Sequence, residues 1–106
     1  MKQTDKVLSM IGLAARAGKI VSGEFSTEKA VKTGKGYLVI VACDASDNTK
    51  KMFRNMCDYY HVPMAEYSIK EELGRWIGKT YRASICILDE GFANALMKKL
   101  SLNMEV

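Results

Sequence analysis

The 106-residue sequence has few of the residues that build metal sites, disulfide frameworks or disordered linkers. It holds one proline, one histidine and three cysteines, and no two cysteines form a CxxC pair. Cys43, Cys57 and Cys86 are odd in number and far apart, which argues against a disulfide framework and a paired-cysteine zinc site. We expect all three to be reduced thiols in the core. The absence of low-complexity tracts argues against internal disorder.

Long apolar runs are also missing. No stretch approaches the roughly 20 apolar residues that a membrane-spanning helix needs. The N-terminal sequence places Asp5 and Lys6 where a signal peptide would carry its apolar segment. The sequence therefore predicts a cytoplasmic protein without a membrane partner. A chain of this length is expected to bury one core, so residues 1–106 are predicted to form a single domain.

The charge is mildly basic and unevenly distributed. The net charge is +4 and the isoelectric point is near 9.0, which hints at a polyanionic partner without requiring one. Residues 16–35 hold five basic and two acidic residues, and residues 75–82 hold three basic and no acidic residues. Each segment thus carries +3, and the rest of the chain carries −2. Positive charge is concentrated in these two segments.

Predicted helices and strands alternate along the chain. YLVIVAC is a nearly continuous apolar run of the kind found in central strands, and ASICILD predicts a second buried strand. Alternating elements predict a single-domain, three-layer α/β/α sandwich on a mixed, about four-stranded central sheet. The predicted elements are helices over about 5–17, 24–33, 48–60, 69–77 and 91–100, and strands or extended segments at 19–22, 37–43, 62–67 and 83–89.

Several local patterns refine this prediction. Thr4 is predicted to cap the first helix, and Ser46 or Asp47 the third. The sequence from Ser68 to Glu71 has the form of a capping box, in which the serine and glutamate side chains satisfy early helix N–H groups. In the second helix, the candidate packing residues are Phe25, Ala30 and Val31.

The stretch GLAARAGKIVSGEF resembles a phosphate-binding loop at first sight. Such a loop requires a strand, a glycine, four residues, Gly-Lys, and then Ser or Thr. Here Gly12 lies inside a helical pattern, five residues separate it from Gly18, and Ile20 follows Lys19. We therefore interpret Gly18 as a helix end, where Arg16 and Lys19 suit the negative end of the helix dipole. Nucleotide binding by this loop is not predicted.

The two basic segments suggest RNA binding. Gly23 permits close backbone approach, and the helix from Glu24 begins with free N–H donors and carries Lys29 and Lys32. In GRWIGKTYR, basic residues alternate with Trp76 and Tyr81, a mixture that combines phosphate contacts with stacking on unpaired bases. The alternative is that the lysines form a solvated face and Trp76 belongs to the core.

An enzyme is the competing hypothesis. Asp44 and Asp89 each follow a buried strand and Glu66 lies near the end of a third, so their carboxylates would converge on magnesium or a small ligand at one sheet edge. Alternatively, Asp44 and Asp89 cap the helices that follow them. The lone His61 lies at a predicted helix end, and no base, nucleophile or glycine-rich loop completes a catalytic site. A third option, a protein-interaction module using the seven methionines, competes with their assignment to the core.

Several segments together identify a family resemblance. IVSGEFSTEKAVKTG, GLAARAGKIVSGE, DASDNTKK, CDYYHVP and LGRWIGKTYRASICILDEGFA cover nearly the whole chain. In them the sequence resembles the kink-turn-binding ribosomal proteins of the L-seven-Ae type, and most closely their bacterial YlxQ-type members. The resemblance implies an α/β/α sandwich that binds kink-turns, which are RNA helices sharply bent at a bulge flanked by sheared G·A pairs.

The resemblance also implies site residues. The family's signature helix reads glycine, any residue, asparagine, glutamate, two residues, lysine, and a glycine five residues later; Gly23, Lys29 and Gly34 match it. Lys29 is thus expected to contact the RNA backbone, whereas Phe25 and Ser26 replace the asparagine and glutamate that contact guanines. The family's apolar loop against the extruded bulge base is here Lys79-Thr80-Tyr81. Stacking by Tyr81, and backbone contacts by Lys79 and Arg82, are expected.

The sequence thus predicts a non-enzymatic RNA-binding protein, associated with the ribosome or translation, that is monomeric and needs no cofactor or metal. Its ligand is expected to be a kink-turn or other bent RNA, for instance within ribosomal RNA. The predicted RNA-binding residues are Gly23, Glu24, Phe25, Ser26, Lys29, Lys32, Gly78, Lys79, Thr80, Tyr81 and Arg82.

Overall fold

All nine predicted elements are present in the computed structural model, which describes residues 5–104 and the side chains of residues 5–101. Their boundaries agree with the predictions to within a few residues. In chain order the elements are α1 (Lys6–Arg16), β1 (Ile20–Ser22), α2 (Glu24–Lys32), β2 (Leu38–Val41), α3 (Asp47–Tyr60), β3 (Met64–Glu66), α4 (Lys70–Trp76), β4 (Ser84–Ile87) and α5 (Glu90–Met104).

The four strands form one mixed sheet in the order β1-β4-β2-β3. β4 runs antiparallel to both β1 and β2, whereas β2 and β3 are parallel. The two apolar strands, β2 and β4, are central and fully buried. The sequence predicts the burial of both strands and the central position of β2. Because of these directions, β1, β2 and β3 end at the sheet edge where β4 begins. We call this the Gly23 edge, and the opposite one, where β1 begins, the Lys19 edge.

Helices cover both faces of the sheet. Leu38 and Ile40 of β2 point toward α1, α4 and α5, in a core that includes Ile11, Leu73 and Leu96. The alternate residues of β2 point toward α2 and α3. The predicted three-layer α/β/α sandwich is therefore confirmed. Within residues 5–104, no helix is both long enough and apolar enough to cross a lipid bilayer.

The helix caps differ in part from the predictions. Thr4 lies outside the described residues, and Asp5 is the N-cap of α1, accepting a hydrogen bond from Leu8 N at 3.0 Å. Ser46 caps α3, as predicted. The prediction of a capping box at Ser68 is wrong, because Ser68 has a left-handed backbone (φ 63°) and α4 begins only after Ile69.

The first backbone N–H group of α4 finds its hydrogen-bond acceptor in a neighbouring loop instead. Oδ1 of Asp44 accepts a hydrogen bond from Lys70 N at 2.8 Å, and the Ser68 carbonyl accepts one from Cys43 N at 2.8 Å. The loops after β2 and β3 are therefore joined at the Gly23 edge. A residue distant in sequence supplies the cap that the local pattern assigned to Ser68.

The cysteines divide into two kinds. Cys57 and Cys86 are buried, and burial raises the pKa of their thiols to about 11 and about 12, respectively. Both are thus the unreactive core thiols that the sequence predicts. For Cys43 that prediction is wrong: β2 ends at Val41, so Cys43 lies in the following loop and is exposed.

A partly buried hydrogen bond joins the residue after β3 to the N-cap of α1. The Tyr67 hydroxyl donates to both carboxylate oxygens of Asp5, at 3.0 and 2.9 Å. Burial, with a smaller effect of this bond, raises the pKa of Tyr67 to about 12. The pKa of Tyr67 in the unfolded chain is about 10. The neutral Tyr67 therefore contributes its full stabilisation of the folded state below that pH, and this contribution is lost as the pH rises toward 12.

We expect Tyr67→Phe to lower the free energy of unfolding by about 1 kcal/mol at neutral pH, because the hydroxyl of Tyr67 is lost as a donor to Asp5. Urea denaturation at several pH values measures this difference. It should shrink as the pH rises above about 10. Tyr59→Phe, which alters an exposed ring, is the control. A difference between Tyr67→Phe and wild type that did not change with pH would contradict the assignment.

Candidate RNA interface

The two segments predicted to bind RNA meet at the Gly23 edge. Gly23 to Lys32 follows β1, and the loop from Gly78 to Arg82 precedes β4, which pairs with β1. Gly23 N donates to the Ser84 carbonyl at 2.9 Å. Nε of Arg82 donates to Oγ of Ser22, also at 2.9 Å. The structure therefore joins segments about 60 residues apart into one surface.

Gly23 sets the start of α2. Its φ of +91° and ψ of 162° lie in a region that side-chain-bearing residues rarely adopt, and no side chain caps the helix. The Gly23 carbonyl accepts the first helical bond, from Thr27 N at 3.0 Å. The backbone N–H groups of the first turn, beginning at the exposed Glu24, lack a side-chain cap and suit a phosphate oxygen.

The face of α2 that packs against the sheet differs from the prediction. Thr27, Ala30 and Val31 are buried, whereas Phe25 is 77% exposed and does not pack in the core as expected. Thr27 takes the core position because Ser84 donates to its hydroxyl at 3.4 Å, which satisfies both buried groups. Sequence reasoning missed Thr27 because it is polar; its spacing of three and four from Ala30 and Val31 was the available signal.

The exposed face of α2 presents Phe25 and Lys29, which are four residues apart and therefore share a face. Within residues 5–101, Lys29 takes part in no ion pair. Lys32 instead pairs with Glu28 at 2.7 Å, and this hydrogen bond raises the pKa of Lys32. Ser26 is half-buried beside them. Lys29 thus offers a freer positive charge to a ligand than Lys32 does.

The loop from Gly78 to Arg82 is held by backbone bonds at both ends. Lys79 N donates to the Gly74 carbonyl at 2.8 Å, and Arg82 N donates to the Lys70 carbonyl at 3.1 Å. Gly78 has a φ of +79° and reverses the chain after α4. Lys79 and Thr80 are exposed, and Tyr81 is 65% exposed. The loop therefore presents a cation and an aromatic ring from a fixed backbone.

Two basic-segment residues are engaged elsewhere. Arg75 pairs with Glu72 at 2.9 Å, and the Trp76 indole N–H donates to the same carboxylate at 3.3 Å. The Trp76 ring lies against α1 at Gly12 and is 37% exposed. Trp76 is thus held against Gly12 and Glu72 but stays exposed, so it is not part of the core.

Strand direction also divides the first basic segment. Arg16 and Lys19 precede β1 and lie at the Lys19 edge. α2 starts at the Gly23 edge and runs back toward the Lys19 edge, where β2 begins, so Lys32 at its end lies farther from the Gly23 edge than Lys29 does. A three-residue strand spans about 10 Å. The positive charge counted over residues 16–35 therefore does not form one patch.

The carboxylates of the enzyme hypothesis do not converge. Because β2 and β4 are antiparallel, Asp44 lies at the Gly23 edge and Asp89 at the opposite edge. Asp89 caps α5, accepting from Phe92 N at 2.9 Å, and Asp44 caps α4. Glu66 pairs with Lys50 and Arg54. Across residues 5–104, no cluster of three or more His, Cys, Asp and Glu residues is positioned to hold a metal ion.

Comparisons with known proteins agree with this fold. Residues 5–97 match the model of the ribosomal protein L7Ae/L30e/S12e/Gadd45 family. The chain is 42% identical over 91 residues to the RNA-binding protein YlxQ of Bacillus subtilis (strain 168), covering 86% of this chain and 91% of that protein. A solved protein of unknown function from Bacillus halodurans superposes with a TM-score of 0.90 at 39% identity, covering 92% of this chain and 99% of the other.

A more distant structure shares the architecture. The Giardia lamblia 15.5kD RNA binding protein has a TM-score of 0.76 at 22% identity, covering 93% of this chain and 88% of its own. At that identity the likeness concerns the fold alone. The resemblance recognised in the sequence is confirmed, and the chain belongs to the ribosomal protein L7Ae/L30e/S12e/Gadd45 family.

Proposed function

We propose that this protein is a non-enzymatic RNA-binding protein that holds bent, structured RNA against the Gly23 edge. The observation that carries this proposal is the joining of the two basic segments by the Arg82–Ser22 and Gly23–Ser84 hydrogen bonds. The name of the Bacillus subtilis relative, an RNA-binding protein, supports the ligand class. We further propose that the RNA is a kink-turn, as the family resemblance implies, and that the protein acts as a monomer in the cytoplasm in association with translation.

Three kinds of contact would divide the work. Uncapped N–H groups of α2 and the charge of Lys29 face the RNA backbone, and Lys79 and Arg82 contact phosphates on the other side of the surface. The exposed ring of Tyr81 stacks on an extruded base. Because these groups are fixed by the sheet edge, they favour RNA that is already bent, and binding shifts the RNA toward that conformer.

Recognition would depend on RNA shape more than on base edges. Phe25 has no hydrogen-bonding group in its side chain, so it cannot replace the family's asparagine in contacts with guanine. Ser26 has a shorter side chain than the family's glutamate, and it is half-buried. The sheared G·A pairs would then be selected because they permit the bend, as in indirect readout.

A gel-shift comparison tests this proposal. We expect a kink-turn RNA to bind about tenfold more tightly than the same RNA with Watson–Crick pairs in place of the G·A pairs, a difference of about 1.4 kcal/mol. Equal, measurable affinities would leave a general RNA binder and remove the kink-turn assignment. No binding to either RNA would overturn the function.

Lys29→Glu should weaken RNA binding severalfold and reduce the slope of log affinity against log salt by somewhat less than one unit. The reason is that Lys29 lies on the exposed face of α2 and forms no ion pair with the side chains of residues 5–101. Lys19→Glu is the matched control, because it makes the same charge change at the opposite edge of the sheet. If both variants lost affinity equally, net charge alone would explain the effect, and Lys29 would have no specific contact.

A further inference from the structure

Phe25 is the most exposed of the large hydrophobic side chains in the described part of the chain. Its exposed fraction is 77%, followed by 76% for Tyr59 and 65% for Tyr81. Phe25 lies two residues after Gly23, and Tyr81 lies next to Arg82. Two of the three most exposed rings therefore flank the hydrogen bond between Arg82 and Ser22.

The exposure of Phe25 has no explanation in the packing of α2. Thr27, Ala30 and Val31 bury the helix against the sheet, so the ring of Phe25 adds nothing to that core. Burying a phenylalanine is favourable by about 1.5–3 kcal/mol, and leaving the ring in water forgoes this gain. An isolated exposed apolar side chain is unremarkable by itself. What requires an explanation is the position of Phe25 in the first turn of α2, at the proposed RNA interface.

The chemistry of the ring limits what it can recognise. A phenyl group has no donor or acceptor, so it can only offer its face or edge to another planar or apolar group. Nucleic-acid bases offer a free face only where they are unpaired. Lys29 lies on the same helix face, with its Cβ about 6 Å from that of Phe25, so a base stacked on Phe25 brings its own phosphate toward that ammonium.

We propose that Phe25 is a second stacking platform, and that the RNA bound here carries two unpaired bases at its bend, one for Phe25 and one for Tyr81. This inference rests on the proposed function and specifies its substrate class. Phe25 thereby replaces base-edge recognition by stacking, which holds any unpaired base with little sequence preference. The ring of Tyr59, by contrast, lies on α3 and contacts Tyr60 edge to face at 4.9 Å.

The test uses Phe25→Leu and Phe25→Tyr with a kink-turn RNA whose unpaired bulge nucleotides are made abasic one at a time. Phe25→Leu keeps an apolar side chain but removes the ring, and should weaken binding about tenfold. Phe25→Tyr keeps the ring and should bind within about twofold of wild type. Tyr59→Leu removes an equally exposed ring and should leave the affinity unchanged.

A double-mutant cycle between Phe25→Leu and each abasic substitution shows whether Phe25 stacks on that base. At the nucleotide that stacks on Phe25, the abasic change should weaken wild type but cost the Leu variant little more. Unchanged affinity of Phe25→Leu, or equal abasic penalties in both proteins at every position, would overturn the inference and leave RNA binding intact. A wild-type protein that binds no RNA would overturn the proposed function and the inference together. If Phe25→Leu left RNA affinity unchanged, the exposed ring of Phe25 would instead be assigned to a contact with a protein partner.

Discussion

Gly74→Ala should displace the loop from Gly78 to Arg82 and so damage both stability and RNA binding. A Cβ at Gly74 would overlap the Thr80 carbonyl oxygen and lie 2.7 Å from the Thr80 carbonyl carbon. These are backbone atoms, so no side-chain rotation relieves the clash. We expect the free energy of unfolding to fall by about 1–3 kcal/mol, as in other overpacked sites.

The loss of RNA affinity should be at least tenfold, because Lys79, Tyr81 and Arg82 move together with the loop. The displacement would weaken two charged contacts and one stacked base, each of which contributes about 1–3 kcal/mol to the free energy of binding. Urea denaturation and gel shifts with a kink-turn RNA measure the two effects separately. Gly91→Ala is the control: within the described part of the chain, its new methyl group meets only the Asp89 carboxylate, at 3.2 Å. Reduced stability with wild-type RNA affinity would show that the loop is not part of the interface.

The close approach at Gly74 follows from how α4 ends. Gly78 adopts a left-handed conformation, Lys79 N donates to the Gly74 carbonyl, and Gly78 N donates to the Arg75 carbonyl at 3.2 Å. This is a Schellman motif. The sequence predicts that Gly78 ends the helix, and this is confirmed. That Gly74 must lack a side chain depends on the path of the loop back across α4, which no local pattern specifies.

Much of the fold follows from the sequence pattern. Continuous apolar runs correctly marked β2 as a central strand and β4 as a buried strand, and helical spacing placed all five helices. The direction of β4 was not predictable, because an apolar strand has the same composition whether it runs parallel or antiparallel. That single uncertainty explains the false convergence of Asp44 and Asp89.

The candidate site was predictable to a similar degree. Gly23 and Lys29 stand out by residue type and spacing. The structure places Gly23 at the sheet edge beside the loop from Gly78 to Arg82, and Lys29 on the exposed face of the helix that starts there. The orientation of Phe25 was wrong because an apolar residue was assumed to face the core. The buried hydroxyl of Thr27 set the phase of α2 instead, through a partner on β4 that the local sequence does not indicate.

Reversing both charges of the loop, in Lys79→Glu/Arg82→Glu, should weaken RNA binding by about 100-fold or more at about 0.1 M salt. Each charged hydrogen bond to phosphate contributes about 1.5–3 kcal/mol, and the new carboxylates also repel the RNA. The slope of log affinity against log salt should fall by nearly two units, because two counterion-releasing contacts are lost. Gel shifts at several salt concentrations measure both quantities.

Arg82 also has a structural contact that must be separated from its charge. Its Nε donates to Ser22, and Nη1 donates to the Tyr81 carbonyl at 2.6 Å, so part of any effect would come from loop position. Ser22→Ala removes the acceptor without changing charge. That variant should lose some affinity while keeping the wild-type salt slope, because its phosphate contacts remain. A salt slope that fell as far in Ser22→Ala as in the double reversal would assign the effect to loop geometry.

The matched control is Arg16→Glu/Lys19→Glu, which lowers the net charge equally but at the opposite edge of the sheet. Long-range repulsion of RNA decays over a Debye length of about 8–10 Å at moderate salt, comparable to the length of β1. We therefore expect a small loss of affinity and a nearly unchanged slope for this pair. Equal losses for the two double variants would contradict a localised interface, since only a contact at the Gly23 edge makes RNA binding depend on where the charge lies.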